Sequence, residues 1–318
     1  MSLKKTNKQK HKKKHKLLVI VEFVPFWCLY MFVRALPLKA AYFLTRRLFS
    51  LLYLVDFRHR RRSQRHLIHA GVAKDKKEAW RIAHRAFLSF GMLLTEIIKM
   101  DQYFKPEKVV FRGSEESRKE AFESENNRNV IVVTAHYGNW ELAGTAWAKL
   151  SKIPMVSVMR PFNNPLIGRY ILRNRTSGVH ETVNKRGCVR DLLKALRNNK
   201  NVALLVDQHA GTNEGVETLF FGQPCRTHMS PALLHLKTKV PIVPMISRRV
   251  DDDFNFEFVL GKPIEYTPTG DKEEDIKNVT QLYTSALEKL IAELPEQWLW
   301  AHRRWLNIHR KRRTPATA

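Results

Sequence analysis

Three residues stand where strand-like runs end, and their types suit acid–base chemistry. NVIVVTA (129–135) is followed by His136, PMVSVM (154–159) by Arg160, and NVALLVD (201–207) closes on Asp207, so a base, a cation and a carboxylate are offered together. The first run leads into His136-Tyr137-Gly138-Asn139-Trp140-Glu141. Asn139 is a good N-cap, and Glu141 then falls in a first helical turn, where a carboxylate complements the helix dipole. From there Glu141 could reach back to His136, fix its tautomer and stabilise the imidazolium, the pairing of a general base with its orienter. The same spacing also suits a strand-end histidine that only hydrogen-bonds its turn. No Ser or Cys sits in a nucleophile elbow, so the second substrate is expected to be the nucleophile, deprotonated by His136, with an activated acyl donor as its natural partner. Arg160, Arg169, Arg173 and Arg175 would supply a cationic wall for phosphate or carboxylate groups, although Arg169 and Arg173 equally suit a plain surface.

Other chemistries lack their residues. GxxxxGK[ST], GxGxxG, GxSxG and HExxH are all missing from the chain, which weighs against a P-loop ATPase, a Rossmann dehydrogenase, a serine hydrolase and a zincin. Cys28, Cys188 and Cys225 have no paired spacing, so neither a disulfide scaffold nor a Cys-rich zinc site is expected. No metal and no cofactor is called for.

The elements needed to hold the three strand ends are legible in the same region. Beyond the runs already named, PIVPMIS (241–247) is a further strand, and helices are expected at about 139–150, 164–176, 187–198 and 229–238. That alternation predicts an α/β fold, with a mixed, mostly parallel central sheet covered by helices on both faces and the functional crevice at the carboxyl ends of its strands. Asp253 to Leu260 alternates and is expected to be an edge strand. Asp75 and Glu78 form a capping box for a long helix to about Met100, and Ile276 to Leu294 defines a closing helix.

The 318 residues carry a net charge of +26, concentrated at the ends. Residues 1–66 hold 17 Lys/Arg against Glu22 and Asp56, and 302–318 hold six with no acid, which leaves +5 for the 235 residues between. Residues 1–16 are a basic tail, 17–66 membrane-anchor and interfacial helices, 67–305 the α/β domain and 306–318 a second basic tail. Leu17–Val33 is apolar, and at 1.5 Å per residue its 17 residues reach about 25 Å, so it could barely span a bilayer or else lie in one leaflet. Lys39, Arg46 and Ser50 fall on one stripe of the next helix, an interfacial pattern, and the surrounding cations suit an anionic membrane surface. A nucleic-acid-binding protein would leave the apolar run and the strand-end residues unexplained.

Taken together, HYGNWELAG (136–144), MRPFNNPLIGRYILRNRTSGV (159–179), DQHAGTNEGVETLFFGQPCRT (207–227) and WLWAHRRW (298–305) resemble the late acyltransferases of lipid A biosynthesis, within the lysophospholipid acyltransferase superfamily. The resemblance runs from about Gln64 to Trp305. It implies transfer of a fatty acyl chain from acyl carrier protein to the hydroxyl of a 3-hydroxyacyl chain on a Kdo-bearing lipid A precursor, at the cytoplasmic face of a bacterial inner membrane. By motif, His136 would deprotonate that hydroxyl and Glu141 would orient the imidazole. Arg175 would hold a phosphate or the thioester oxygen, Asp207 would organise the site through that arginine, and Asn139, Arg160 and Gly222 complete the expected substrate-binding set. Asp207, Phe220, Phe221 and Gly222 would border the acyl groove. Glycerolipid acyltransferases commonly read N-H-x-x-x-x-D, whereas here Ala135 precedes the histidine and Glu141 ends the motif, which favours the lipid A branch. Another bacterial glycolipid or a lysophospholipid as acceptor stays open, as does a hydrolase that uses the same pair to activate water.

Overall fold

The computed structural model describes residues 16–123, 128–160, 162–172, 179–185 and 187–306. Arg173, Arg175, most of the amino-terminal lysine run and the arginines after residue 306 lie outside the described residues. Four helices open the chain: α1 (Lys16–Ala35), α2 (Leu38–Val55), α3 (Phe57–His69) and α4 (Lys76–Tyr103). The Asp75 carboxylate accepts from the Glu78 amide at 2.8 Å, and Glu78 accepts in turn from the Lys74 amide at 3.0 Å, so the start of α4 is capped as its sequence requires.

The body follows as β1 (Val109–Gly113), α5 (Glu115–Arg118), β2 (Ile131–Thr134), α6 (Trp140–Ser151), β3 (Met155–Met159), α7 (Pro165–Leu172), β4 (His180–Asn184), α8 (Cys188–Arg197) and β5 (Asn201–Leu205). It closes with β6 (Gly215–Phe220), β7 (Gln223–His228), α9 (Ser230–Thr238), β8 (Ile242–Arg249), β9 (Phe256–Leu260) and α10 (Lys272–Glu293). Seven strands form one sheet in the order β1-β9-β8-β2-β5-β3-β4, with every neighbouring pair parallel except β8 and β9. β6 and β7 make a separate antiparallel ribbon. The fold is therefore the expected mixed, mostly parallel α/β sheet. Successive side chains of a strand point to opposite faces, so the apolar run around β2 serves two cores. Ile131, Val133 and Ala135 are buried with Leu192, Val279 and Leu287 of α8 and α10, while Val130 and Val132 share the other core with Leu142 and Trp147 of α6.

Two expectations are corrected. The strand within Asp253 to Leu260 is not at an edge: β9 lies between β8 and β1, and the short, alternately exposed β1 takes the edge instead. At Arg46 and Ser50 the polar stripe of α2 faces the protein rather than a lipid headgroup layer, while Lys39 stays largely exposed. Arg46 pairs with Asp252, Lys39 reaches Asp253 at 3.5 Å, and Ser50 shares a 2.9 Å hydrogen bond with His84. Phe43, Leu51, Leu54 and Val55 are left exposed on the outer side. The carboxylates and His84 are close enough to satisfy the stripe, so the apolar face is the one left outward.

α1 is held along its length. The Asn164 amide donates to Val19 O at 2.9 Å and to the Glu22 carboxylate at 3.2 Å, which gives the one acid of the apolar run a partner. Phe23 and Tyr30 pack on Tyr170, and Arg34 forms two 2.7 Å bonds to Asp101. Leu17–Ala35 is long and apolar enough to cross a membrane.

Candidate active site

Strand register brings the chemistry together. Thr134 of β2 pairs with Leu205 of β5, so two residues further on His136 comes level with Asp207. Asp207 Oδ1 lies 2.8 Å from His136 Nδ1, and Oδ2 accepts the His136 backbone N–H at 2.9 Å. Oδ2 also accepts from the Trp298 indole at 2.8 Å and faces His302 Nε2 at 3.3 Å. The Asp207 side chain is 1% exposed and all its neighbours here are donors, so it is an ionised, acceptor-only group. Burial alone would raise its pKa, but the charge and hydrogen bond of His136, with help from His302, hold it well below the usual carboxylate range. For His136 burial pulls the other way, and the Asp207 charge and hydrogen bond, with a smaller push from Glu141, leave the imidazole above its ordinary value. With Nδ1–H fixed on Asp207, Nε2 carries the lone pair; it faces the Gln208 amide at 3.3 Å.

The residue that orients His136 through Nδ1 is thus Asp207, in place of Glu141, which acts on the imidazole as a charge from the first turn of α6. Spacing along the chain favoured Glu141 because it lies five residues away; the strand pairing that delivers Asp207 spans 71 residues. The link expected between Asp207 and Arg175 involves a residue outside the described ones. Asn139 is fully buried and caps α6, accepting from the Leu142 amide at 2.8 Å, so it shapes the turn that follows His136. Gly222 is not among the residues that line the cleft at His136. With Phe221 at φ 50° and Gly222 at φ 66° it makes the two-residue turn between β6 and β7, and Phe220 is buried against Trp298 and Trp305.

A cleft of about 490 Å³ opens at His136. Arg160, Lys185, Gln208 and His228 give it polar walls, and Val158, Val189, Leu204 and Leu233 an apolar depth beneath α8 and α9. Arg160 therefore stands where its strand end predicts. Lys185 and His228 were not singled out by sequence; both sit near Glu214, at 3.2 and 3.8 Å.

The carboxyl-terminal motif locks this arrangement from behind. Leu299 N–H donates to His136 O, Gly138 N–H donates to Gln297 O, both at 3.0 Å, and Tyr137 bridges to Trp298. Arg304 is buried, donates to Gln208 O at 3.1 Å and to Thr227 Oγ1 at 2.7 Å, and stacks over Phe220. Spacing gives Trp298, His302 and Arg304 of WLWAHRRW no role; the density of aromatic and basic residues in that run is the signal that could have found them. The turn itself is tight: Gly138 has φ +53°, and a Cβ there would fall 1.9 Å from Ser247 O. Gly138→Ala is expected to cost about 3 kcal/mol or more, read as a lowered melting temperature together with lost activity.

His136, Asp207 and His302 place possible metal-ligand atoms within 4.8 Å of one another. The 2.8 Å contact between Nδ1 and Oδ1 is a hydrogen-bond distance, whereas two arms of about 2.0 Å around a tetrahedral ion would hold ligand atoms farther apart. The geometry fits a shared proton.

A base oriented by a buried carboxylate at the end of an α/β sheet is common to several enzyme classes, and the chain's relatives separate them. Residues 9–307 match the model of the bacterial lipid A biosynthesis acyltransferases. This chain belongs to that family. Among its relatives, the acyltransferase is 24% identical to a lipid A biosynthesis lauroyltransferase of Escherichia coli over 233 residues, 72% of this chain and 73% of the relative. It is 26% identical to the lipid A biosynthesis palmitoleoyltransferase of the same organism over 181 residues, 56% of each. A phosphatidylinositol mannoside acyltransferase of Mycobacterium tuberculosis is 25% identical over 180 residues, 55% of this chain and 54% of the relative.

Proposed function

We propose that the acyltransferase moves a fatty acyl chain from acyl carrier protein to the hydroxyl of a 3-hydroxyacyl chain on a Kdo-bearing lipid A precursor. The observation that carries this is the His136–Asp207 pair, with Nε2, beside the Gln208 amide, facing a cleft with polar walls and an apolar lining. The hydroxyl oxygen attacks the thioester carbonyl carbon while Nε2 takes its proton. The C–S bond then breaks, the ester is left behind, and the imidazolium returns the proton to the departing thiolate. Arg160 and Lys185 suit the anionic parts of a substrate, and the apolar depth by Leu204 and Leu233 suits the acyl chain. Neither step needs a metal or a cofactor.

The protein works at the cytoplasmic face of a bacterial inner membrane, with the exposed apolar sides of α1 and α2 in the leaflet and the basic ends against anionic lipid. Residues 17–66 form the attachment helices, 67–305 the catalytic domain, and the tails at 1–16 and 306–318 add charge. The mycobacterial relative supports a second acceptor, a different bacterial glycolipid.

The test is mass spectrometry of purified protein given acyl carrier protein thioesters and a Kdo-bearing tetraacyl precursor, beside Asp207→Asn and Glu141→Ala. A gain of one acyl chain, lost in the first variant and reduced in the second, is the expected result. No gain with any donor from folded protein would overturn the lipid A assignment, and turnover that does not depend on acceptor would point to a hydrolase.

A further inference from the structure

α3 carries Arg58, Arg61, Arg62 and Arg65 at i, i+3, i+4 and i+7, which puts four guanidinium groups on one helical face. Arg303 converges on them from the terminal segment, and together they line a cavity of about 500 Å³ closed by Trp305 and Leu306. Among the described residues no carboxylate lines this cavity. Elsewhere in the molecule arginines find acids: Arg46 with Asp252, Arg118 with Glu115, Arg248 with Glu293. Arg58, Arg61, Arg62 and Arg303 have no such ion pair among the described residues, and Arg62 spends one N–H on Ala301 O at 2.9 Å. Partial burial, and then the charges of Arg303 and Arg58, push the Arg62 pKa down against a smaller opposing pull from Asp56. Cations gathered in a cavity that no described carboxylate lines are a site that an anion would relieve, and a planar fork matches phosphate in bidentate fashion.

What adjoins the cluster says which kind of anion. A second cleft of about 520 Å³ shares Arg58, Arg62 and Arg303 and is floored by Phe49, Leu52, Phe87 and Phe90; Asp56 also lines it, with its carboxylate bonded to the His59 backbone N–H and ring. It opens beside the exposed Leu51, Leu54 and Val55 of α2 and reaches inward to His302, which bonds the same Asp207 as His136. A free anion has no use for such a floor, and an acidic protein surface would not fill it. Cationic mouth and apolar depth are complementary to an amphiphile with a phosphorylated head.

We propose that Arg58, Arg61, Arg62, Arg65 and Arg303 form a phosphate site for the lipid acceptor, with one of its acyl chains in the Phe49–Phe90 cleft. This rests on the acceptor being a lipid, as proposed above, but not on its being acylated. The experiment therefore measures binding in the inactive His136→Ala protein, full length and in neutral detergent. The probes are a lipid A precursor carrying its phosphates and the same precursor after phosphatase treatment.

The expected result is tighter binding of the phosphorylated lipid, weakened about a hundredfold by Arg58→Gln with Arg61→Gln, about tenfold for each guanidinium lost. Binding of the phosphatase-treated lipid stays the same. Arg58→Lys with Arg61→Lys keeps the charge but loses the fork, and should recover only part of the affinity. Equal binding of both lipids, equal weakening of both, or full affinity in the lysine pair would overturn the proposal. So would intact lipid binding in the glutamine pair with a raised KM for the carrier-protein thioester in the otherwise active enzyme, which would assign the cluster to the donor. Phosphate-dependent binding without acyl transfer by the unaltered protein would instead sink the catalytic assignment and leave this site standing.

Discussion

Asp207→Asn should lower kcat for acyl transfer by a factor on the order of 10³ to 10⁴ while the protein stays folded. Asn can turn its oxygen toward the backbone N–H of His136, the Trp298 indole and His302, the three donors that Asp207 Oδ2 now serves. Its NH₂ then meets His136 Nδ1, where Asp207 Oδ1 stands at 2.8 Å. Two donors cannot share that contact, so the imidazole must switch tautomer, placing its proton on Nε2 and removing the lone pair from the cleft. Circular dichroism and thermal unfolding would show near-normal folding, and a rate within tenfold of the unaltered enzyme would exclude Asp207 as the orienter. Asp207→Ala is the less useful variant, because it leaves buried donors with nothing to bond.

The pH dependence gives the same test a sign. His136 is held above its ordinary pKa chiefly because the charge and hydrogen bond of Asp207 outweigh its burial. A base must be deprotonated to act, so kcat/KM should rise with pH through a value above 6.5, the ordinary imidazole value. In Asp207→Asn the offsetting charge is gone and burial remains, so the residual activity should show its acid limb at lower pH. For stability the two partners oppose each other. The His136 contribution is present on the acid side and fades as pH rises through its raised pKa, whereas that of Asp207 is present above the carboxylate range and fades as pH falls toward its depressed pKa.

The sheet was legible because strands buried on both faces must be continuous apolar runs, and the runs that end in His136, Arg160 and Asp207 have that form. β4 escaped notice because HETVN lies at the far edge with three of its five residues exposed, so burial imposes no pattern on it. The site residues split along the same line. His136 and Asp207 could be named as strand-end groups, but which of Glu141 and Asp207 meets Nδ1 depends on β2 pairing with β5, a partner that periodicity within a segment does not specify. Trp298 and His302 arrive over still longer separations, through backbone bonds between 136–138 and 297–299. α2 misled for an opposite reason: its stripe is a true amphipathic pattern, but spacing alone cannot tell whether acids such as Asp252 wait on the polar side.

Glu96→Ala should be the most destabilising substitution outside the site, by about 3–5 kcal/mol. Arg249 of β8 is buried, and its guanidinium pairs with Glu96 of α4 through two contacts, one of them at 2.9 Å, while a third nitrogen donates to Ser89 Oγ at 2.8 Å. Tyr42 of α2 donates to the same carboxylate at 3.2 Å. Removing Glu96 strands a charge with no route to water, so the cost is that of an unpaired buried cation rather than the modest net worth of the pair. Replacing both, with Glu96→Leu and Arg249→Met together, should return most of the lost stability because apolar side chains can fill the space. Chemical denaturation of the singles and the double would give the coupling; a Glu96→Ala loss under about 1 kcal/mol would mean that water reaches the guanidinium. The effect should extend to catalysis. Arg249 N–H and O bond the Gln297 side chain at 2.9 and 2.8 Å, and Gln297 O in turn accepts the Gly138 N–H beside His136. A variant that loosens Arg249 therefore loosens the loop that aims the base, so kcat should fall in Glu96→Ala even below its unfolding temperature, and the double replacement should restore stability more fully than rate.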